Sequence, residues 1–121
     1  MIMKKVWGQL LSLDLNRCEH SFMNNPEKLR EFSKEICREI DMVPFGEPII
    51  KRFPIGNETL EGYSMMQFIM TSSITVHLDE IDNRAFIDIF SCKRFDAKIA
   101  KKFCKNFFRA KKIRAKNLYR Y

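Results

Sequence analysis

Four strand-like runs that follow one another between residues 49 and 91 constrain the fold more than any other feature of the sequence. Residues 49–53 form a short run, residues 62–71 and 73–78 are almost continuous, and residues 85–91 have the pattern of an alternating strand. Such apolar and β-branched runs, bounded by Gly, Pro, Asn and Asp, are typical of strands. Residues 5–15 alternate in part and predict an earlier strand, and residues 113–119 predict a last, basic one.

Two amphipathic helices are predicted outside this block. Asn25 and Pro26 have the pattern of a helix start, and apolar residues then recur at three- and four-residue spacing to about Ile40. Asp96 can cap a second helix, in which large apolar residues recur every four positions to Phe107. The order is roughly β-α-β-β-β-α-β, which predicts an α+β fold: a two-layer α/β sandwich with an antiparallel sheet and two helices on one face.

The chain length of 121 residues predicts one domain spanning residues 1–121. Its apolar fraction of 45% is that of a folded protein. No apolar run approaches the roughly 20 residues of a membrane span, and the first residues lack the apolar stretch of a signal peptide. We therefore expect a cytoplasmic protein with no membrane partner.

The cysteines and charges exclude some functions and leave one open. The four cysteines form no CxxC pair, and the two histidines show no ligand spacing, so neither a disulfide framework nor a metal site is expected. The net charge is +7, and residues 93–121 contain many Lys and Arg but a single acid, Asp96. Such a segment fits a solvated surface or an anionic partner. Nucleic acid is not expected as the partner, because the sequence shows no cluster of surface aromatic residues on which bases could stack.

The residues able to do chemistry are concentrated between residues 62 and 92. Ser64 and Ser72 would share a face of one unbroken strand, and a kink before Ser73 would bring both close to His77. Cys92, at the end of the next predicted strand, could reach the same end of the sheet. A hydroxyl near a base can attack the preceding peptide carbonyl, and β-elimination then yields a terminal pyruvoyl group. Such a ketone can form a Schiff base with an amine and act as an electron sink for decarboxylation, while a thiol supplies a proton.

Spacing alone does not decide this interpretation. Strand ends rich in Ser and Thr are common, His77 could be a structural histidine, and Cys92 could be a small buried side chain. A serine hydrolase is disfavoured because the sequence has no GxSxG motif.

At these positions the chain resembles the short-form bacterial and archaeal S-adenosylmethionine decarboxylases. The run 71–77 (TSSITVH) aligns without a gap with that family's Glu-Ser-His-Leu-Thr-Ile-His, and 85–92 (AFIDIFSC) lies at the family's distance from the histidine. The likeness extends to residues 7–19 and to the Gly-Tyr-Ser of residues 62–64, so it covers nearly the whole chain.

The resemblance implies a self-processing enzyme. The bond between Thr71 and Ser72 would be cleaved, giving fragments 1–71 and 72–121, and Ser72 would become the pyruvoyl group, with no metal and no pyridoxal phosphate. His77 would be the proton acceptor for processing, with Ser64 assisting, and Cys92 the proton donor for catalysis. The small-molecule substrate would be S-adenosylmethionine, the product the aminopropyl donor for spermidine, and the active form a dimer of cleaved protomers.

The substrate-binding residues depart more from the family than the processing residues do. Phe53 is similar in placement to an aromatic residue that stacks on the substrate's adenine. Residues 78–81 (LDEI) replace the family's Thr-Trp-Pro-Glu, so Glu80 is the candidate for the carboxylate that binds the ribose. Thr71 replaces a Glu, and Lys93 after Cys92 replaces a Gly. Two alternatives follow: a pyruvoyl-dependent decarboxylase of ornithine or arginine, or a non-enzymatic basic binding module.

Overall fold

The computed structural model describes residues 5–53, 61–70 and 72–121 of the chain. It contains six strands, two α-helices and a short 3-10 helix at His20–Phe22. The strands are β1 (Gly8–Asn16), β2 (Ile49–Phe53), β3 (Gly62–Ile69), β4 (Ser72–Asp79), β5 (Arg84–Ser91) and β6 (Lys112–Arg120); the helices are α1 (Pro26–Glu39) and α2 (Ala97–Phe107).

All six strands form one antiparallel sheet in the order β2-β3-β4-β5-β1-β6. The predicted α+β sandwich is therefore confirmed. The predicted element order is corrected in one place, because the almost continuous run at residues 62–78 is two strands. Ile69 pairs with Ser72, so β3 and β4 form a tight hairpin. Thr71 lies outside the described residues.

Both helices begin at the predicted residues. The Asn25 side chain accepts a hydrogen bond from the Glu27 N–H, and Pro26 starts α1. The Asp96 carboxylate accepts hydrogen bonds from the N–H groups of Lys98 and Ile99 at the start of α2. Each cap satisfies backbone donors that have no partner inside the helix.

The core lies between the helices and one face of the sheet. Alternate strand residues on this helix-facing side are buried, among them Leu11, Leu13, Leu15, Ile74, Val76, Ile87 and Ile89. Phe32 of α1 contacts the rings of Phe103 and Phe107 on α2 and of Phe108 after it, which joins the two helices.

The opposite face of the sheet, called here the open face, has no helix packed on it among the described elements. It nevertheless presents large apolar side chains that are 38–54% exposed: Ile49, Phe53, Met66, Phe68, Phe86 and Leu118. Several large exposed apolar side chains on one face of a sheet are typical of an interaction surface. No α-helix among the described residues is long and apolar enough to cross a bilayer.

Candidate active site

Ser64 and His77 lie directly opposite each other on β3 and β4. Ser64 Oγ and His77 Nδ1 are 2.9 Å apart, within hydrogen-bond distance. Ser64 is half-buried and the imidazole of His77 is exposed on the open face. Because this contact uses Nδ1, the second ring nitrogen, Nε2, is left to exchange a proton with another group.

Ser72 and Cys92 form a second pair at the other end of β4. Ser72 lies opposite Ser91, and Ser72 Oγ accepts a hydrogen bond of 2.9 Å from the backbone N–H of Cys92. This agrees with the expectation that Cys92 reaches the same end of the sheet as Ser72. The Cys92 backbone thus holds the Ser72 hydroxyl, and the thiol of the same residue is exposed.

The two pairs are well separated within one protomer. His77 is five residues from Ser72 along β4, which corresponds to about 17 Å at the rise of an extended strand. The predicted meeting of Ser64 and His77 is confirmed, whereas the predicted kink that would also have brought Ser72 to them is wrong within one chain. The hairpin is the reason: β3 runs back along β4, so residues equally far from the turn meet, and Ser64 meets His77 but not Ser72.

Backbone and side-chain contacts hold the segment that carries Cys92. The buried Ser91 hydroxyl accepts a hydrogen bond from the Lys93 N–H and contacts Met42 Sδ at 3.7 Å. The Lys93 ammonium reaches the Asp41 carbonyl at 2.8 Å and its carboxylate at 3.2 Å. Ser91 and Asp41 were not predicted as site residues. For Ser91, its position directly before Cys92 was the one sequence signal; Asp41 had none.

A cavity of about 430 Å³ opens beside Cys92. The residues that line it with Cys92 come from the two ends of the chain: Lys5, Val6, Trp7 and Tyr121. Trp7 stacks on Phe90 with a centroid distance of 6.0 Å. The thiol therefore faces a space large enough for part of a small molecule, with an aromatic wall.

The two predicted substrate-binding residues lie near the His77 end of the sheet. Phe53 pairs with Gly62 and its ring is 54% exposed on the open face. Glu80 is different, since its carboxylate is 8% exposed and bound by Arg52. Arg52 also contacts Glu61 at 2.7 Å, and these two carboxylates raise the pKa of the guanidinium. Binding of a ribose by Glu80 stays a prediction, and it would require this ion pair to rearrange.

The other three cysteines belong to the core. Burial raises the pKa of the Cys18 and Cys37 thiols to about 11, and it also raises the pKa of Cys104. These thiols are protonated and inaccessible at neutral pH. The described residues contain no cluster of three His, Cys, Asp or Glu side chains that could hold a metal ion.

Each pair offers one half of a reaction. The Ser72 pair provides a hydroxyl next to a peptide bond and a thiol able to donate a proton, whereas the His77 pair provides an oriented base. Lys51 pairs with Ser64 across β2 and β3, which places a cation beside Ser64; no sequence signal identified Lys51, because β2 carries no motif.

Comparison with known proteins gives a consistent result. The family profile described as S-adenosylmethionine decarboxylase matches residues 9–121. The S-adenosylmethionine decarboxylase proenzyme of Clostridium botulinum strain Langeland is 29% identical over 117 residues, 96% of each chain. That of Sulfurisphaera tokodaii is 30% identical over 88 residues, 73% of this chain and 66% of the relative. The fold matches the crystal structure of the adenosylmethionine decarboxylase from Aquifex aeolicus VF5 with a TM-score of 0.80 at 17% identity, covering 97% of this chain and 92% of the other.

Proposed function

Because the chain belongs to the S-adenosylmethionine decarboxylase family, we propose that it cleaves itself before Ser72 and then decarboxylates S-adenosylmethionine, supplying an aminopropyl donor for spermidine synthesis. The observation that carries this proposal is the contact between Ser72 Oγ and the Cys92 N–H. It joins the residue proposed to be cleaved to the residue proposed to donate the proton. The proenzyme names of the relatives support self-processing.

In processing, the Ser72 hydroxyl attacks the carbonyl carbon of Thr71. The C–N bond breaks, an ester forms, and the amide nitrogen becomes the amine of Ser72. A base then removes the Ser72 α-proton and the ester oxygen leaves with the carboxylate of Thr71. Hydrolysis of the resulting dehydroalanine releases ammonia and leaves a pyruvoyl group. The N–H of Cys92 holds the hydroxyl at the start, and His77, oriented by Ser64, is the proposed proton acceptor.

Residue 72 fits such a group sterically and chemically. It begins a strand at the end of a hairpin, where a new chain terminus would stay in place through the ladder to β5. The pyruvoyl group supplies an electron sink for loss of carbon dioxide. Around it, Cys92 donates a proton to the product carbon, and Trp7 lines the cavity beside it.

We also propose that the active form is a homodimer in which the His77 pair of one protomer serves the Ser72 pair of its partner. Two features support this. The pairs are about 17 Å apart within one chain, too far for proton transfer. The open face, on which His77 is exposed, also presents apolar side chains that a second copy would cover.

The intact mass of the purified protein tests self-cleavage. We expect fragments of 71 and 50 residues, the second with a terminus that resists Edman degradation. Ser72→Ala should give one uncut chain. A wild-type chain that stays uncut on long incubation would contradict the proposal, and cleavage of Ser72→Ala would move the cut to Ser73.

Release of carbon dioxide from candidate substrates tests the substrate. We expect turnover of S-adenosylmethionine and none of ornithine or arginine. The reverse result would favour the alternative that residues 78–81 and the ion-paired Glu80 suggest, a decarboxylase of a smaller amino acid.

A further inference from the structure

The proposed decarboxylation does not use the most basic part of the molecule. On the outer side of α2, four lysines line a groove of about 430 Å³ together with Asn106 and, from β6, Ile113. We call this the lysine groove; its lysines are Lys98, Lys101, Lys102 and Lys105. Lys101, Lys102 and Lys105 follow Lys98 by three, four and seven residues. This spacing places all four on one side of the helix, over a length of about 10 Å.

The lysine groove carries a concentration of positive charge, bordered on one side by Glu39 of α1, which lines an adjacent groove with Lys102 and Asn106. None of the four lysines takes part in the ion pairs formed by the described residues. Asp96, the one acid between residues 93 and 121, is occupied as the N-cap of α2. Four ammonium groups outside these ion pairs, on one concave surface, attract a polyanion.

Protection of a sheet edge does not account for this charge. Charged residues on an edge strand such as β6 prevent unwanted pairing with another strand. Edge protection explains Lys112, Arg114 and Lys116, which lie on β6. It does not explain the four groove lysines, because they lie on α2 and not on a strand.

One exposed aromatic ring, that of Tyr119, lies on the same side of the sheet as Ile113 of the groove. Ile113 of the groove pairs with buried Leu15, and Tyr119 pairs with buried Gln9, so both lie on the helix-facing side of β6. The Tyr119 side chain is 46% exposed. Arg94 lies 5.3 Å from the Tyr119 ring centroid. The strip from Ile113 to Tyr119 is about 20 Å long.

We propose that the lysine groove and Tyr119 form a binding surface for single-stranded nucleic acid. A basic groove that follows the backbone, with exposed rings for the bases to stack on, is the combination that such ligands require. An acidic peptide would use the lysines but not the ring of Tyr119. An anionic membrane would need large apolar side chains around the cations, and on α2 only Ile99 is markedly exposed. Tyr119 thus supplies an aromatic ring on the side of the sheet that carries the lysines, which the sequence alone did not reveal.

Fluorescence polarisation with labelled oligouridylate tests this surface, using the full chain. Binding should weaken with salt, with a logarithmic slope of about −0.7 for each phosphate contacted. Lys101→Glu with Lys105→Glu should weaken binding at least about tenfold and reduce the slope by roughly 1 to 2. Tyr119→Ala should weaken binding without changing the slope, because stacking releases no counterions.

The matched control is Lys34→Glu with Arg38→Glu on the exposed side of α1, which also lowers the net charge from +7 to +3. Equal losses in the two double variants would overturn the proposal, since net charge alone would then explain binding. It would also be overturned if polyglutamate or phosphatidylserine vesicles bound as tightly as the oligonucleotide. Lys101→Gln with Lys105→Gln repeats the test if the Glu variant fails to fold.

Discussion

Cys92 differs from the other three cysteines in its exposure and its surroundings. It is exposed and borders a cavity, whereas burial keeps Cys18 and Cys37 protonated by raising their pKa values to about 11. Its link to Ser72 passes through the backbone N–H and not through the thiol. The side chain can therefore be changed without removing the contact that holds the Ser72 hydroxyl.

We expect Cys92→Ala to cleave itself normally but to release carbon dioxide at least about 100-fold more slowly, since loss of a general acid typically costs this much. Fragment yield on a denaturing gel and carbon dioxide release measure the two steps separately. Cys18→Ala, a buried thiol outside the site, is the control and should retain turnover. Full activity of the Cys92 variant would assign the proton donor to another group.

The sequence could predict these residues but not their arrangement. Side-chain types at fixed spacing identify Ser64, Ser72, His77 and Cys92 as candidates. Whether they meet depends on strand pairing, and the run at residues 62–78 gives no strong turn signal such as Asn-Gly. Parity within one strand was therefore the wrong rule, because pairing across a hairpin decides the neighbours of Ser64.

Among the elements, the β3–β4 hairpin determines the geometry of the site. The sequence predicted most strand and helix bounds to within one or two residues, because the hydrophobic periods and helix caps are local signals. It could not predict that Gly62, at the start of β3, packs closely on the backbone of β4. A Cβ at this position would lie 1.8 Å from the Leu78 carbonyl oxygen.

Gly62→Ala should push β3 away from β4 and displace Ser64 from His77, two residues further along. We expect a loss of about 1–3 kcal/mol in the free energy of unfolding and slower self-cleavage. Gly46→Ala is a matched comparison: its φ of +77° costs a similar strain, but no heavy atom lies within 4 Å of the added Cβ. Denaturant unfolding and the rate of fragment formation distinguish them. Equal cleavage rates would show that the hairpin contact is irrelevant to processing.

At the scale of the whole molecule, the proposed dimer predicts that two inactive chains restore each other. Ser72→Ala lacks the cleaved residue and His77→Ala lacks the base, so neither should be processed alone. In a mixed dimer, the His77→Ala chain keeps Ser72 and receives His77 from its partner. When the two variants are coexpressed with distinguishable tags, we therefore expect the His77→Ala chain to be cleaved and the Ser72→Ala chain to stay uncut.

Two results would contradict the shared site. If coexpressed chains formed mixed dimers by pull-down but remained uncut, His77 would not act across the interface. If His77→Ala cleaved by itself, processing would need no His77 at all.

The sheet order has a consequence for what self-cleavage does to the molecule. Strands β1, β2 and β3 would belong to the first fragment and β4, β5 and β6 to the second, yet β1 lies between β5 and β6. The fragments are interlaced through the ladders β3–β4, β1–β5 and β1–β6, so neither can leave as a folded unit. A processed protein that is unfolded must therefore reassemble from two separate polypeptides, in a reaction that slows on dilution. Self-cleavage would therefore have to follow folding, and a cleaved protein that unfolds would not refold as the uncut chain does.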